Sequence, residues 1–235
     1  MQLIFKRYEK KYMITNKQAA NITAALQKHM IPDEYGTYWV QNLYFDTEDW
    51  DVIRKSMDKP LYKEKLRLRC YGIPDDNSNT FLELKKKYLG VVYKRRIAIP
   101  MPALAQPIRD AVVSNNAQIA RELSFYLESN PVSEKMFIAF RRVAYSGVGE
   151  DWLRVTFDTD IRYRRENLDF SNPTIGQPVL PPGCQLMEIK TKTSIPLWLS
   201  RAMSESAVYG TSYSKYGTCF TDYCIQQEKG DVKYA

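Results

Sequence analysis

Apolar and charged residues alternate through much of this chain. In Lys65-Leu66-Arg67-Leu68-Arg69 the leucines fall at every second position and basic residues at the others. A period of two predicts a β-strand with one apolar and one charged face. The same pattern recurs in Phe81-Leu82-Glu83-Leu84-Lys85, in Arg154-Val155-Thr156-Phe157-Asp158 and in Met187-Glu188-Ile189-Lys190. Lys94 and Arg96 share a face, and a first strand over 3–14 places Arg7, Glu9 and Lys11 together. Further strands are predicted over 38–45, 61–71 and 184–191, with hairpins over 80–87 and 91–99 (around Leu89-Gly90) and over 137–147 and 152–163.

Helical signals lie between these strands. Thr15 with Gln18 three residues later makes a capping-box pattern, followed by an apolar stripe of Ile22, Leu26 and Met30. A short helix is predicted over 47–57 with Thr47 as its cap. The segment 102–130 reads as mostly helical, broken near Asn115-Asn116. Residues 196–209 form a helix with proline in the first turn. Residues 167–183, rich in Pro, Gly and Asn, form a long loop, and the segment after Tyr216 is ambiguous.

At 235 residues, with 44% hydrophobic and 26% charged positions, the chain suits one globular domain over 1–235. The net charge of +7 points to a polyanionic partner. With one histidine, His29, and no CxxC pair among Cys70, Cys184, Cys219 and Cys224, a zinc site is disfavoured and reduced thiols in a cytoplasmic protein are expected. The first residues carry charge where a signal peptide needs an apolar run, and no stretch has the length of a membrane span.

Charge changes the picture of the strands. A charged strand face is ordinarily a solvated one. From residue 63 to 96, however, ten positions are basic (Lys63, Lys65, Arg67, Arg69, Lys85, Lys86, Lys87, Lys94, Arg95, Arg96) and four acidic (Glu64, Asp75, Asp76, Glu83). Such a face repels itself unless an anion occupies it. A sheet closed into a barrel, charged inside and apolar outside under a layer of helices, accommodates both faces. Its lumen suits phosphate, which arginine grips with a fork and lysine with a point charge. Mg²⁺ typically takes one or two carboxylates plus substrate phosphates, which makes Glu188 the first metal candidate and Glu9 the second. Either could instead pair with neighbouring cations, and Glu83 beside Lys85 is expected to be structural. No GxxxxGK[ST] is present, so a P-loop is excluded.

Taken in order, RYEKKY, NLYFDT, KLRLR, FLELKKK, VYKRR, FRRVAY, LRVTFD, LMEIK and SKYG resemble the polyphosphate polymerase domain of the vacuolar transporter chaperone (VTC) proteins, in the triphosphate tunnel metalloenzyme superfamily. The resemblance implies an α+β fold with a closed antiparallel eight-stranded β-barrel, a tunnel, and helices packed outside. It implies ATP and polyphosphate as partners, Mn²⁺ or Mg²⁺ as cofactor, and transfer of the ATP γ-phosphate to a growing chain. By motif, Arg67, Arg69, Arg142 and Arg154 match phosphate-clamping arginines. Lys11, Lys85, Lys94, Arg96 and Lys215 match substrate-guiding positions, Glu188 the metal-binding glutamate, and Glu9 a second acid of the first strand. Arg7 stands where the superfamily's ExExK motif has its first glutamate, Phe140 where a tyrosine is expected, and Ser212 where a second late lysine would stand.

Two other functions use the same basic lumen. One is a tunnel triphosphatase in which water attacks, and the loss of an acid at Arg7 disfavours it. The other is a binding module for polyphosphate or nucleic acid without catalysis. Nucleic acid is not expected, because binders of that kind add exposed aromatics for base stacking. No membrane segment is expected; association with a membrane or export partner is open to the chain, and export of the product is expected to involve other proteins.

Overall fold

The computed structural model describes residues 8–89, 91–113 and 118–231. Among them the elements run β1 (Tyr8–Thr15), α1 (Asn16–Leu26), β2 (Met30–Pro32), β3 (Tyr38–Asp46), α2 (Asp51–Met57), β4 (Tyr62–Tyr71), β5 (Asn79–Tyr88) and β6 (Val91–Pro100). A 3₁₀ turn (Met101–Ala105) follows, then α3 (Ile108–Val113), α4 (Gln118–Ser129), β7 (Ser133–Gly147), β8 (Glu150–Arg164), β9 (Gln177–Pro178), β10 (Cys184–Thr191), α5 (Leu197–Glu205) and α6 (Lys215–Asp231). The class is α+β, with antiparallel pairing in every ladder given below. Arg7, the start of the first predicted strand and the predicted break at Asn115-Asn116 lie outside the described residues.

The chain folds as two compact units. The first comprises Met1–Tyr38, Phe140–Ile161 and Pro178–Ser214. Its strands lie in the order β1-β10-β8-β7, with β2 on β7. Tyr12, Met187 and Phe157 follow one another across three strands, as do Lys10, Ile189 and Val155. The apolar face made by Tyr12, Met187, Phe157, Ile189 and Val155 packs with Ala19, Ile22 and Leu26 of α1 and with Leu199 and Met203 of α5. The predicted capping box is present: the Thr15 hydroxyl accepts from the Gln18 amide, and the Gln18 side chain accepts from the Thr15 amide.

The second unit comprises Trp39–Ala139, Arg162–Gln177 and Lys215–Ala235. Its strands lie in the order β7-β3-β4-β5-β6. Leu66 faces Leu84 and Leu68 faces Leu82, and Ile97 lies beside Leu82. Together with Leu43, Phe45 and Ile99 they pack on Val112 of α3 and on Ala120, Leu123 and Leu127 of α4. Leu66, Leu82 and Leu84 are fully buried, each contributing about 1.5–3 kcal/mol from removal of apolar surface from water.

Two expectations are corrected, at α2 and after Tyr216, and the closed barrel stays an expectation. The sheet order has β1 and β6 at its ends, and closure into an eight-stranded barrel is not among the described pairings. Alternation specifies which face a residue occupies but not which strand edges meet. The predicted helix over 47–57 begins at Asp51, after a left-handed Trp50 (φ 63°). The Thr47 hydroxyl accepts from the Asp51 amide, while the buried Asp46 carboxylate takes the amides of Val52 and Ile53. The ambiguous segment after Tyr216 is the helix α6.

Candidate functional site

Each unit presents a charged strand face that carries expected site residues. In the second unit the face is built by β4, β5 and β6. Register places Arg67 opposite Glu83 and Glu83 opposite Arg96, so three charges line up across three strands. Glu83 is 1% exposed. Its Oε2 accepts from Arg67 Nε at 2.9 Å and Nη2 at 2.7 Å. Its Oε1 lies 2.6 Å from Lys94 Nζ and 2.8 Å from Arg96 Nε. The Oε1 contacts fall outside hydrogen-bond alignment, so there the attraction is one of charge at close range. Burial alone would raise the Glu83 pKa, but Arg67, Arg69 and Lys94 reverse that and hold it far below the usual carboxylate range. Glu83 is therefore a fixed anion that gathers cations, in keeping with its expected structural role.

Strand β3 supplies the partners of this face. Arg67 Nη1 donates to the Tyr44 hydroxyl at 3.1 Å, and Arg69 Nε donates to Asn42 Oδ1 at 2.8 Å. Asn42 in turn donates to the Ile138 carbonyl at 3.1 Å. Tyr44 stacks on Tyr216 with ring centroids 4.3 Å apart. Burial opposes ionisation of the Tyr44 phenol, but the charges of Arg67, Arg69 and Lys215 lower its pKa overall. At the far end Arg96 lies over the Phe81 ring at 4.0 Å and donates to the Tyr71 hydroxyl at 2.9 Å.

In the first unit, Lys11 faces Glu188 and Glu9 faces Lys190 across β1 and β10. On β8, Thr156 faces Glu188 and Arg154 faces Lys190. Lys11 Nζ lies 3.3 Å from Glu9 Oε1 and 3.7 Å from Glu188 Oε1, and donates to the Tyr213 carbonyl at 2.9 Å. Glu188 is 5% exposed; its Oε2 lies 3.8 Å from Arg142 Nη2 and 3.9 Å from Lys190 Nζ. Arg142 is clamped in a two-pronged bond to Asp158 at 2.6 and 2.7 Å. Burial disfavours its charge, but Asp158 more than offsets this and raises its pKa. Arg154, 44% exposed in its side chain, pairs with Asp33 at 2.5 Å. The Thr156 hydroxyl is buried with no hydrogen-bond partner among the described residues.

The VTC domain family matches residues 6–222. The chain belongs to the VTC domain family. The resemblance drawn from its motifs is thereby borne out. No curated protein matches it. Among solved structures, it is similar to a candidate adenylate cyclase from Vibrio parahaemolyticus at 12% identity, covering 92% of this chain and 98% of that one with a TM-score of 0.48. A candidate adenylate cyclase from Bacillus halodurans aligns at 10% identity over 89% and 95% of the two chains, TM-score 0.47. A protein from Pyrococcus horikoshii aligns at 12% over 93% and 99%, TM-score 0.47.

In this VTC domain the expected site residues form two groups. Arg67, Lys94 and Arg96 meet at Glu83, with Arg69 on the same face, Lys85 beside Lys94 in register, and Lys215 near Tyr44. Lys11, Glu9, Glu188 and Arg142 form the other group, and Arg154 lies on the same sheet face as Glu188. Sequence reading missed Asn42, Tyr44 and Asp33 as contributors and placed Thr156 on the charged face without giving it a role. A signal existed for the first two: Asn42, Tyr44 and Asp46 alternate with Leu43 and Phe45, the same period that marked the other strands.

Proposed function

We propose that this VTC domain is a polyphosphate polymerase that transfers the γ-phosphate of ATP to the end of a polyphosphate chain. The observation that carries the reading is the imbalance around Glu83: Arg67, Arg69, Lys94 and Arg96 share a face with that single buried carboxylate. Cations gathered in excess of their counter-charge repel one another until a polyanion joins them. Phosphoryl transfer asks chiefly for positioning and charge neutralisation, which guanidinium groups on fixed strands supply.

In this reading a terminal oxygen of the acceptor chain attacks the γ-phosphorus, and the bond from that phosphorus to the β,γ-bridging oxygen breaks. ADP leaves with the electron pair. Arg67, Arg69, Arg142 and Arg154 would hold phosphate oxygens, with Arg154 releasing Asp33 to do so. Lys11, Lys85, Lys94, Arg96 and Lys215 would guide the charged chain. No protein nucleophile is required.

Among the described residues no group of three or more His, Cys, Asp or Glu could hold a metal ion by itself. Glu9 and Glu188, both beside Lys11, fit an ion that arrives with the triphosphate, since Mg²⁺ uses one or two carboxylates plus phosphates. Glu188 first and Glu9 second would hold Mn²⁺ or Mg²⁺, which when bound neutralises charge on the phosphates. The reading also includes closure of the sheet into the eight-stranded tunnel expected for the family. It includes a cytoplasmic setting too, with which the free cysteines agree. Among the described residues no helix is long and apolar enough to cross a membrane.

The test is incubation with ATP and Mn²⁺, resolving ADP and long-chain polyphosphate together. A polyphosphate ladder that disappears in Arg69→Ala supports the polymerase. Phosphate release without a ladder replaces it with a triphosphatase, and neither product leaves a binding module.

A further inference from the structure

The basic face of β4, β5 and β6 does not stop at the residues expected to hold a triphosphate. Register continues it toward the hairpin between β5 and β6: Lys65 faces Lys85, which faces Lys94, and one step on Lys63 faces Lys87. All of these share the parity of Arg67 and Arg69 and so the same side of the sheet. Lys59 adds a further charge where the chain enters β4. From Arg69 to Lys63 the run covers about 20 Å at roughly 3.3 Å per residue.

The opposite side of the same strands is charged as well, but there the charges are matched. Lys86 pairs with Glu64 at 3.2 Å and Arg95 with Glu122 at 2.8 Å. Among the described residues Lys63, Lys85 and Lys87 have no carboxylate within ion-pair distance. Lys85 and Lys87 are exposed, while Lys63 is half-buried and donates to the Ser56 carbonyl at 2.8 Å. Burial first, then the charges of Lys87, Lys59 and Lys85, push the Lys63 ammonium below its ordinary pKa. These lysines are thus close enough to repel, and among the described residues no carboxylate at ion-pair distance offsets the charge of Lys63, Lys85 or Lys87.

We propose that Lys63 and Lys87, with Lys59, form an anion-binding track that continues past Lys85 and holds the polyphosphate chain beyond the arginine cluster, running toward the β5–β6 hairpin. The proposal rests on the polymerase reading for its ligand but not for its geometry. Lysines suit this task because a point charge on a flexible stem does not demand one phosphate orientation, whereas the arginine fork does. The ligand is a polyphosphate rather than a nucleic acid because Tyr62, Tyr88 and Tyr93 stand on the opposite parity, the ring beside Lys65, Tyr216, is buried, and single-strand binding relies on base stacking.

The track is tested by measuring binding of tripolyphosphate and of long-chain polyphosphate to the full chain across a salt series. The wild type is expected to bind the long chain more tightly. A double variant, Lys63→Glu with Lys87→Glu, should lose that advantage and the corresponding part of the salt slope, with tripolyphosphate affinity unchanged. Lys87→Glu alone, at an exposed side chain, should lose part of it and guards against misfolding caused by loss of the Lys63–Ser56 bond. An advantage that survives in both variants overturns the track, as does a wild type that does not distinguish the two lengths. Displacement of the long chain by single-stranded nucleic acid as effectively as by polyphosphate overturns the ligand assignment. If the wild type makes no polyphosphate yet shows a length advantage that the variants lose, the track stands and the polymerase reading falls.

Discussion

Tyr216 donates its hydroxyl hydrogen to Asp46 across 2.7 Å, and both side chains are buried. The bond ties the first turn of α6 to the carboxylate that caps α2. Burial raises the Asp46 pKa, and the bonds from Tyr216 and from the amides of Val52, Thr47 and Ile53 oppose that rise. Tyr216→Phe removes one donor from a buried carboxylate and should cost about 1–3 kcal/mol, read as a lower midpoint in denaturant. The Tyr44 ring, stacked on Tyr216, would keep its packing.

Glu83→Gln should be among the most damaging single substitutions in the second unit. It leaves Arg67, Lys94 and Arg96 around a neutral group, and removing one partner of a buried pair costs about 3–5 kcal/mol. The pKa of Glu83 is depressed in the folded state from its ordinary 4.5. The folded state therefore binds fewer protons than the unfolded state below that value, and the stability Glu83 contributes at neutral pH is lost as pH falls through and below 4.5. Melting curves of wild type against the variant should converge toward acid. Tripolyphosphate should recover part of the variant's midpoint at neutral pH.

Gly176 has φ +138°, and a Cβ there would meet the Tyr163 carbonyl oxygen at 2.5 Å, a contact with backbone that cannot swing away. Gly176→Ala combines that clash with a conformation disfavoured for other residues, and should cost about 1–3 kcal/mol. A melting temperature indistinguishable from wild type would contradict this.

On the proposed function, Arg69→Ala should lower turnover roughly 10²–10³-fold with circular dichroism unchanged. Loss of fold would instead assign Arg69 to structure, through its bond to Asn42. Glu188→Gln should remove activity and its metal dependence together. Persistence of metal-dependent synthesis would take Glu188 out of the site.

The strands were legible because two-faced strands carry a period that few other patterns imitate. Leu66 and Leu68, and Leu82 and Leu84, fall on the buried side as their alternation requires. What alternation does not carry is partnership. That Arg142 would be clamped by Asp158 and Arg154 by Asp33 depends on folded distances that spacing cannot report. Tyr44 was left without a role because a phenol fits either side of a strand, and only its bond from Arg67 shows which part of it matters. The start of α2 was misplaced because Thr47, the expected cap, accepts the Asp51 amide from four residues away, and the next two amides go to Asp46 at the end of the preceding strand. Within the long loop, Arg164 gathers the carbonyls of Asn167, Asp169, Asn172 and Ile175, order that composition rich in Pro, Gly and Asn conceals.

The pairing of β4 with β5 restricts how the gene can change length. A shift of one residue between these strands would turn Arg67 and Arg69 toward Leu123 and Leu127 and expose Leu66 and Leu68, so both faces fail together. An insertion or deletion inside either strand carries that double penalty, whereas the turn over residues 72–78 lies outside the ladder. Length variation among descendants of this sequence should therefore collect in that turn and leave the spacing within each strand untouched.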